Sequence, residues 1–366
     1  MTIKLAAEKL NAWCISTGLI NTDQREFISA SSIDTGDFFP ATAVELLRKK
    51  HVQRIAYNDK RNEITIFTGR SLQINKKNQN VLPNNIDGYT IKYRQGTINS
   101  VGGHAGMPHS SPPWTVRADL NGQNRYACGS SISVGNSREA GTLGALVKDA
   151  SGQIFGLSNN HVTGSCNFAQ TGLPILAPGV LDVMPNGIDP FCVGHHVRSL
   201  PMVSGFPDQV NADINSDAAI FKILNTNNLT SYQGAAYDTP SSAIELECDM
   251  EVEKVGRTTG ATKGRVHSIL LGYTSISYSA ALYNFNGLVY FKSMFVVIGH
   301  GDLFSTNGDS GSLITHKAAD GKRYAVGIVV GAMEDLSAPG GRLTLAIPIK
   351  PILESFNVDL VSNLNI

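Results

Sequence analysis

Residues Gly308-Asp309-Ser310-Gly311-Ser312 set a serine inside a glycine-rich turn with a carboxylate beside it. Such a turn suits a nucleophile. Glycine lets the backbone bend without Cβ clashes, which leaves the N–H groups of Gly308 and Ser310 free to converge on a developing oxyanion. Polar five-residue turns are also common as plain surface connections in β proteins. What separates the two readings is whether a histidine and a carboxylate accompany the serine in a productive chain order.

Both do. His161 lies in Leu157-Ser158-Asn159-Asn160-His161-Val162, just beyond the alternating stretch 143–155. It is therefore expected at a strand end, from which an imidazole can swing into a cleft. Asp217 heads the run DAAIFKI (217–223), an acid followed by an apolar strand and poised to be half-buried against an imidazole. Asp208 and Asp213 also fall between the two motifs, but no apolar strand follows them. A serine hydroxyl is a weak nucleophile at neutral pH, so Ser310 needs His161 to take its proton, and Asp217 would fix the imidazole tautomer. The order His…Asp…Ser differs from the Ser…Asp…His of α/β-hydrolases and the Asp…His…Ser of subtilisins. The hydrolase elbow G-x-S-x-G also fails, because the residue two after Ser310 is Ser312.

These motifs together resemble the trypsin-like, or chymotrypsin-fold, serine peptidases. GDSG matches the nucleophile turn, NNHV the histidine motif and DAAIFKI the aspartate-led strand. Gly327-Ile328-Val329-Val330-Gly331-Ala332 is similar to the strand that walls the primary specificity pocket. The run VGRTTGATKGRV (255–266) is similar to a strand-turn-strand of bacterial members, and CGSSISVGN (128–136) to an intracellular bacterial branch that includes plant narrow-leaf-type proteins.

The resemblance implies two six-stranded barrels with His161, Asp217 and Ser310 at their junction, and Gly308 and Ser310 as oxyanion donors. It places Phe304 at the pocket floor, with Leu303 before it, and Val330, Gly331 and Ala332 on the wall. Neither floor residue can pair with Lys or Arg, so the expected cleavage site carries an apolar or small side chain. No Ile-Val-Gly-Gly-like start precedes Cys128. The oxyanion turn is then either preformed or ordered by a partner, an oligomer or the N-terminal region. The expected function is a regulated, cytoplasmic serine endopeptidase acting on a protein or peptide. A pseudoprotease scaffold and an esterase are the alternatives.

The elements that must position these groups are β-rich. Only 16% of residues are charged and 36 of 366 are glycine, which favours strands and turns over a helical bundle. Residues 1–100 read as a small α+β domain. It has a helix over 40–50 with a basic end, strands over 52–57 and 63–68 around a polar turn, and a third strand over 89–93. A Gly/Ser/Pro-rich linker is expected over 101–124, followed by a peptidase domain over 125–366 with barrels at about 125–235 and 236–366. Within it, 171–207 reads as a long connection, 269–278 and 289–298 as strands, and 352–356 as a C-terminal helix.

Thirty basic and thirty acidic residues cancel, which gives no electrostatic footprint for nucleic acid or an anionic membrane. No apolar run reaches the roughly 18 residues needed to span a bilayer, and Glu8 and Lys9 interrupt the N-terminus, so no signal peptide is expected. Five cysteines without close-paired spacing read as reduced thiols in a cytosolic protein. The pair His195-His196 would point to opposite faces of a strand, so neither a metal nor another cofactor is expected. A regulatory protein partner or a homo-oligomer is compatible with this surface.

Overall fold

The computed structural model describes residues 1–20, 38–72, 81–98 and 114–366. Of the expected linker, 101–113 lies outside the described residues. Two helices and five strands form the N-terminal unit: α1 (Ile3–Ser16), α2 (Ala41–Lys50), β1 (Val52–Asn58), β2 (Glu63–Thr68), β3 (Asn85–Ile86), β4 (Tyr89–Gln95) and β5 (Thr97–Ile98). Thr2 caps α1 by accepting the Leu5 amide, and α2 ends on Arg48, Lys49 and Lys50, where cations oppose the partial negative charge of the last carbonyls. Leu10, Trp13 and Leu47 of the helices pack on Ile55, Ile64 and Ile66 of the strands.

β6 (Val116–Ala118) and β7 (Asn124–Cys128) follow, β6 occupying part of the stretch read as linker. The first barrel contains β8 (Ser131–Val134), β9 (Gly141–Thr142), β10 (Ala145–Lys148), β11 (Ile154–Ser158), β12 (Pro174–Ala177), β13 (Phe191–Ser199) and β14 (Ala219–Ile223). β9 runs on into β10, so one stretch pairs with β8 at one end and β11 at the other. Pairings β11–β14, β14–β13, β13–β12 and β12–β8 then close six antiparallel strands. The segment 171–207, expected as a connection, supplies two of them. Its Gly/Pro content marks the turns around β12 and β13 and hides the strands between.

β15 (Leu229–Gln233) and β16 (Tyr237–Asp238) join β6 and β7 in a small sheet. The second barrel is β17 (Glu251–Gly256), β18 (Gly260–Leu270), β21 (Phe295–Gly299), β22 (Leu313–Lys317), β23 (Arg323–Glu334) and β24 (Arg342–Pro348). It closes through β17–β18, β18–β21, β21–β24, β24–β23, β23–β22 and β22–β17. The whole is a chymotrypsin-like double β-barrel carrying an α+β unit.

Between β18 and β21 the chain leaves the barrel to make a hairpin, β19 (Tyr273–Ala280) with β20 (Phe285–Lys292). The stretches 269–278 and 289–298, each expected as a single strand, are therefore broken, at Leu271-Gly272 and Ser293-Met294. Gly272 and Ser293 both have positive φ, and the Ser293 amide lies 3.4 Å from the Gly272 carbonyl where the chain exits and returns.

α4 (Ile349–Phe356) and β25 (Asp359–Leu360) complete the chain, β25 pairing back onto β10. The largest apolar cluster is the seam between barrels, where Leu157 and Ile220 of the first meet Leu313, Val330 and Leu345 of the second. Tyr278 and Val289 of the hairpin and Ile352 of α4 join it. The N-terminal unit shares the second barrel's sheet, with Tyr57 opposite Ile269 and Ile98 opposite Met333. No helix among the described residues is long and apolar enough to cross a membrane.

Candidate active site

β11 ends at Ser158, and the chain turns at once into a single helical turn, α3 (Asn160–Thr163), which carries His161. The two asparagines before it act as anchors. Asn159 donates its side-chain amide to the Asp217 carbonyl at 2.6 Å, and Asn160 donates to the Leu200 carbonyl at 2.8 Å and to Asn167 Oδ1 at 2.6 Å. His161 is thereby fixed over the start of β14. Its amide donates to Asp217 Oδ1 at 3.0 Å, and its Nδ1 lies 2.5 Å from Asp217 Oδ2. With a carboxylate as acceptor, Nδ1 carries the proton and Nε2 keeps its lone pair.

A third donor comes from the hairpin. The Tyr278 hydroxyl donates to Asp217 Oδ2 at 3.1 Å, and its ring lies 5.5 Å from the imidazole of His161. Tyr278 and Asp217 are both fully buried. Burial, and then the Asp217 charge, push the phenol well above its ordinary range, so it remains a donor. Sequence reasoning missed Tyr278. A buried tyrosine needs an acceptor for its hydroxyl, but that requirement does not say which one.

Ser310 sits in the turn between β21 and β22. The turn is docked on the first barrel: the Ser310 carbonyl accepts from the Thr142 amide at 2.9 Å, and the Gly308 carbonyl from Thr142 Oγ1 at 2.9 Å. Gly311 has φ +92°, and a Cβ there would lie 2.4 Å from Ser158 Oγ and 2.5 Å from the Thr142 carbonyl. This close approach brings the serine turn against the strand end from which His161 springs. Gly308 has φ +95°, and its Cβ would lie 2.4 Å from Thr258 Oγ1. Among the described residues no protein acceptor takes the amides of Gly308 or Ser310, while that of Asp309 donates to the Thr306 carbonyl at 3.0 Å. The Ser310 hydroxyl lies 3.4 Å from the Val330 carbonyl.

Asp309 turns away from the cleft. It accepts from the amides of Thr258 (2.8 Å), Thr259 (3.1 Å) and Thr306 (2.9 Å) and from the Thr259 hydroxyl (2.8 Å). Lys254 Nζ stands 3.5 Å away, and both side chains are completely buried. Burial pulls the Lys254 ammonium below its ordinary value, and the Asp309 charge opposes that shift. Next to this pair, Arg257 donates Nε to Asp182 Oδ2 at 2.7 Å and Nη2 to Asp182 Oδ1. Asp182 lies between β12 and β13, so this ion pair ties the first barrel to the GRTTG turn of the second.

The expected pocket residues divide. Gly331 and Ala332 sit on β23 near Ser310, and Val330 presents its carbonyl there while its side chain is buried in the seam. Phe304 does not floor an open pocket. Its ring is 1% exposed and lies in the core of the second barrel with Val266, Val297 and Val329. The glycine at 264 makes room for it, since a Cβ there would come within 2.8 Å of the ring. On the open side of His161 lies a cavity of about 390 Å³ lined by Asn136, Glu139, Ser165, Ala280 and Tyr283. Asn136 donates to the Tyr283 hydroxyl at 3.1 Å, linking this rim to the hairpin tip. Among the described residues no group of three or more His, Cys, Asp or Glu side chains could hold a metal.

Comparison with known proteins bears on this arrangement. A family model described as the Nal1 C-terminal domain matches residues 238–365. Protein NARROW LEAF 1 of Oryza sativa subsp. japonica is 28% identical over 280 residues, covering 70% of this chain and 44% of the relative. The match thus spans less than half of that curated relative. Among solved structures, Thermobifida fusca protease A is 20% identical, covering 65% of this chain and all of its own, with a TM-score of 0.41. Nocardiopsis protease is 21% identical, covering 64% of this chain and 97% of its own, with a TM-score of 0.40.

Proposed function

We propose that this protein is a serine endopeptidase in which Ser310 is the nucleophile, His161 the general base and Asp217 the group that orients the base. The observation that carries the reading is the fully buried Asp217. It takes His161 Nδ1 at 2.5 Å and the His161 amide at 3.0 Å, leaving Nε2 as the basic nitrogen. Ser310 attacks the substrate carbonyl as Nε2 takes its proton. The oxyanion is met by the amides of Gly308 and Ser310, and the same proton then goes to the leaving amine. Water, activated by the same histidine, hydrolyses the acyl-enzyme.

The backbone of β23 at residues 330–332 offers an extended peptide a strand to pair with beside the nucleophile. Held by Lys254 and the amides around it, Asp309 supports an oxyanion turn that is formed without a newly cut amino terminus. All five cysteines are free and four are buried, which supports a reducing, cytoplasmic setting. A fluorophosphonate probe tests the reading: wild type is expected to label covalently, and Ser310→Ala and His161→Ala to lose labelling while remaining folded. Folded wild type that does not label, alone or with cell extract present, would point to a binding scaffold. Labelling with cleavage of esters but of no peptide would point to an esterase.

A further inference from the structure

With Phe304 turned into the barrel core, the character of the pocket falls to the residues after it and to the strand that faces them. Ser305 and Thr344 are both buried, with their hydroxyls 2.6 Å apart. In the β23–β24 register Ala332 stands opposite Thr344 and Glu334 opposite Arg342, so these four side chains share one face. The opposite face of β24 supplies Leu343 and Leu345 to the inter-barrel core.

Arg342 is the exceptional member of this face. Its guanidinium turns toward the nucleophile loop, with Nη1 donating to Thr306 Oγ1 at 2.6 Å and Nη2 to Asn307 Oδ1 at 3.1 Å. Both acceptors are neutral, and they lie four and three residues before Ser310. Arg342 Nε is buried without a hydrogen-bond partner. Among the described residues no carboxylate lies within ion-pair distance of this cation. Glu334, directly across the strand pair, is exposed to solvent and makes no ion pair with it, acting on it through its charge alone. Burial also pulls the guanidinium below its ordinary value, and the charges of Glu334 and Asp309 only partly oppose that shift. A half-buried guanidinium whose engaged donors go only to neutral acceptors on the nucleophile loop is suited to bind a carboxylate.

We propose that Arg342 is a specificity-determining residue and that the side chain preceding the scissile bond is acidic. This replaces the apolar preference expected from Phe304, and it rests on the endopeptidase reading. The test uses two peptidyl diphenyl phosphonates that differ only in a glutamyl or leucyl side chain at the reacting residue, beside the small fluorophosphonate. Wild type should react faster with the glutamyl probe by about 10- to 100-fold, the range of a charge-assisted hydrogen bond. Arg342→Gln should lose that ratio and Arg342→Lys should keep part of it, while both label with the fluorophosphonate. A leucyl preference in wild type, or a glutamyl preference unchanged in Arg342→Gln, overturns the inference and leaves the endopeptidase reading standing. Wild type inert to all three probes removes that reading and this inference with it.

Discussion

Asp217 and Asp309 are both carboxylates with no exposed surface, the first just ahead of a strand of the first barrel and the second in a turn of the second barrel. Their surroundings differ in kind. Asp309 is held by three backbone amides, the Thr259 hydroxyl and the ammonium of Lys254. Around Asp217 the partners are one amide, one hydroxyl and the imidazole of His161, with no fixed cation among the described residues. A neutralised carboxylate is suited to holding a turn in place, since its charge has already been answered. One that faces an imidazole keeps its charge available for the moment that imidazole becomes a cation. The contrast supports the proposal that gives Asp309 an architectural role and Asp217 a chemical one.

The sharpest way to break this comparison is Asp217→Asn, which preserves shape but reverses the hydrogen-bonding role toward His161. It is expected to lower kcat by ~10⁴-fold with little change in thermal midpoint, as read by steady-state hydrolysis and thermal unfolding. A stability loss that matched the activity loss would move Asp217 into the architectural class. Next comes Lys254→Met, which leaves the Asp309 charge buried and unanswered. Urea unfolding should show a loss of about 3–5 kcal/mol, and adding Asp309→Asn should recover part of it. Wild-type stability in the single variant would mean that the four hydrogen bonds suffice. The smallest effect is expected from Tyr278→Phe, which removes one hydrogen bond to a charged group, a change of about 1.5–3 kcal/mol. It should appear mostly in kcat and its pH profile rather than in KM, because Tyr278 acts through Asp217.

Of the three proposed catalytic residues, Ser310 stood out by its glycine-rich turn, and His161 and Asp217 by lying at strand ends in a productive chain order. Helix α2 was legible from apolar spacing and a basic end, and α4 from a short apolar stretch over 352–356, three residues inside its observed start. Other features resisted for physical reasons. Lys254 lies in β17 and reads as an ordinary strand lysine, and only the fold shows that it points inward at Asp309. Tyr278 was hidden because the apolar run Ile269-Leu270-Leu271 leads straight into the β-branched and aromatic residues after Gly272, so 269–278 reads as one strand and the hairpin does not show. Phe304 was misplaced because a position along the chain does not fix a direction. The space left by Gly264 draws its ring into the core, and Ser305 and Arg342 gain importance as a result.

The strand β23, which carries the wall of the cleft, is bordered at Met333 and Glu334 by β5. Arg94 reinforces that border by donating to the buried Asp335, 241 residues further along the chain. Such pairings close very long loops, and loops of that kind form late and slowly. During synthesis β1 can meet β18 earlier, but β5 must wait for most of both barrels to be made before β23 arrives. A chain stopped short of it has β5 without its partner and the proposed cleft without its wall, which makes assembly order a safeguard on when the proposed site could begin to act.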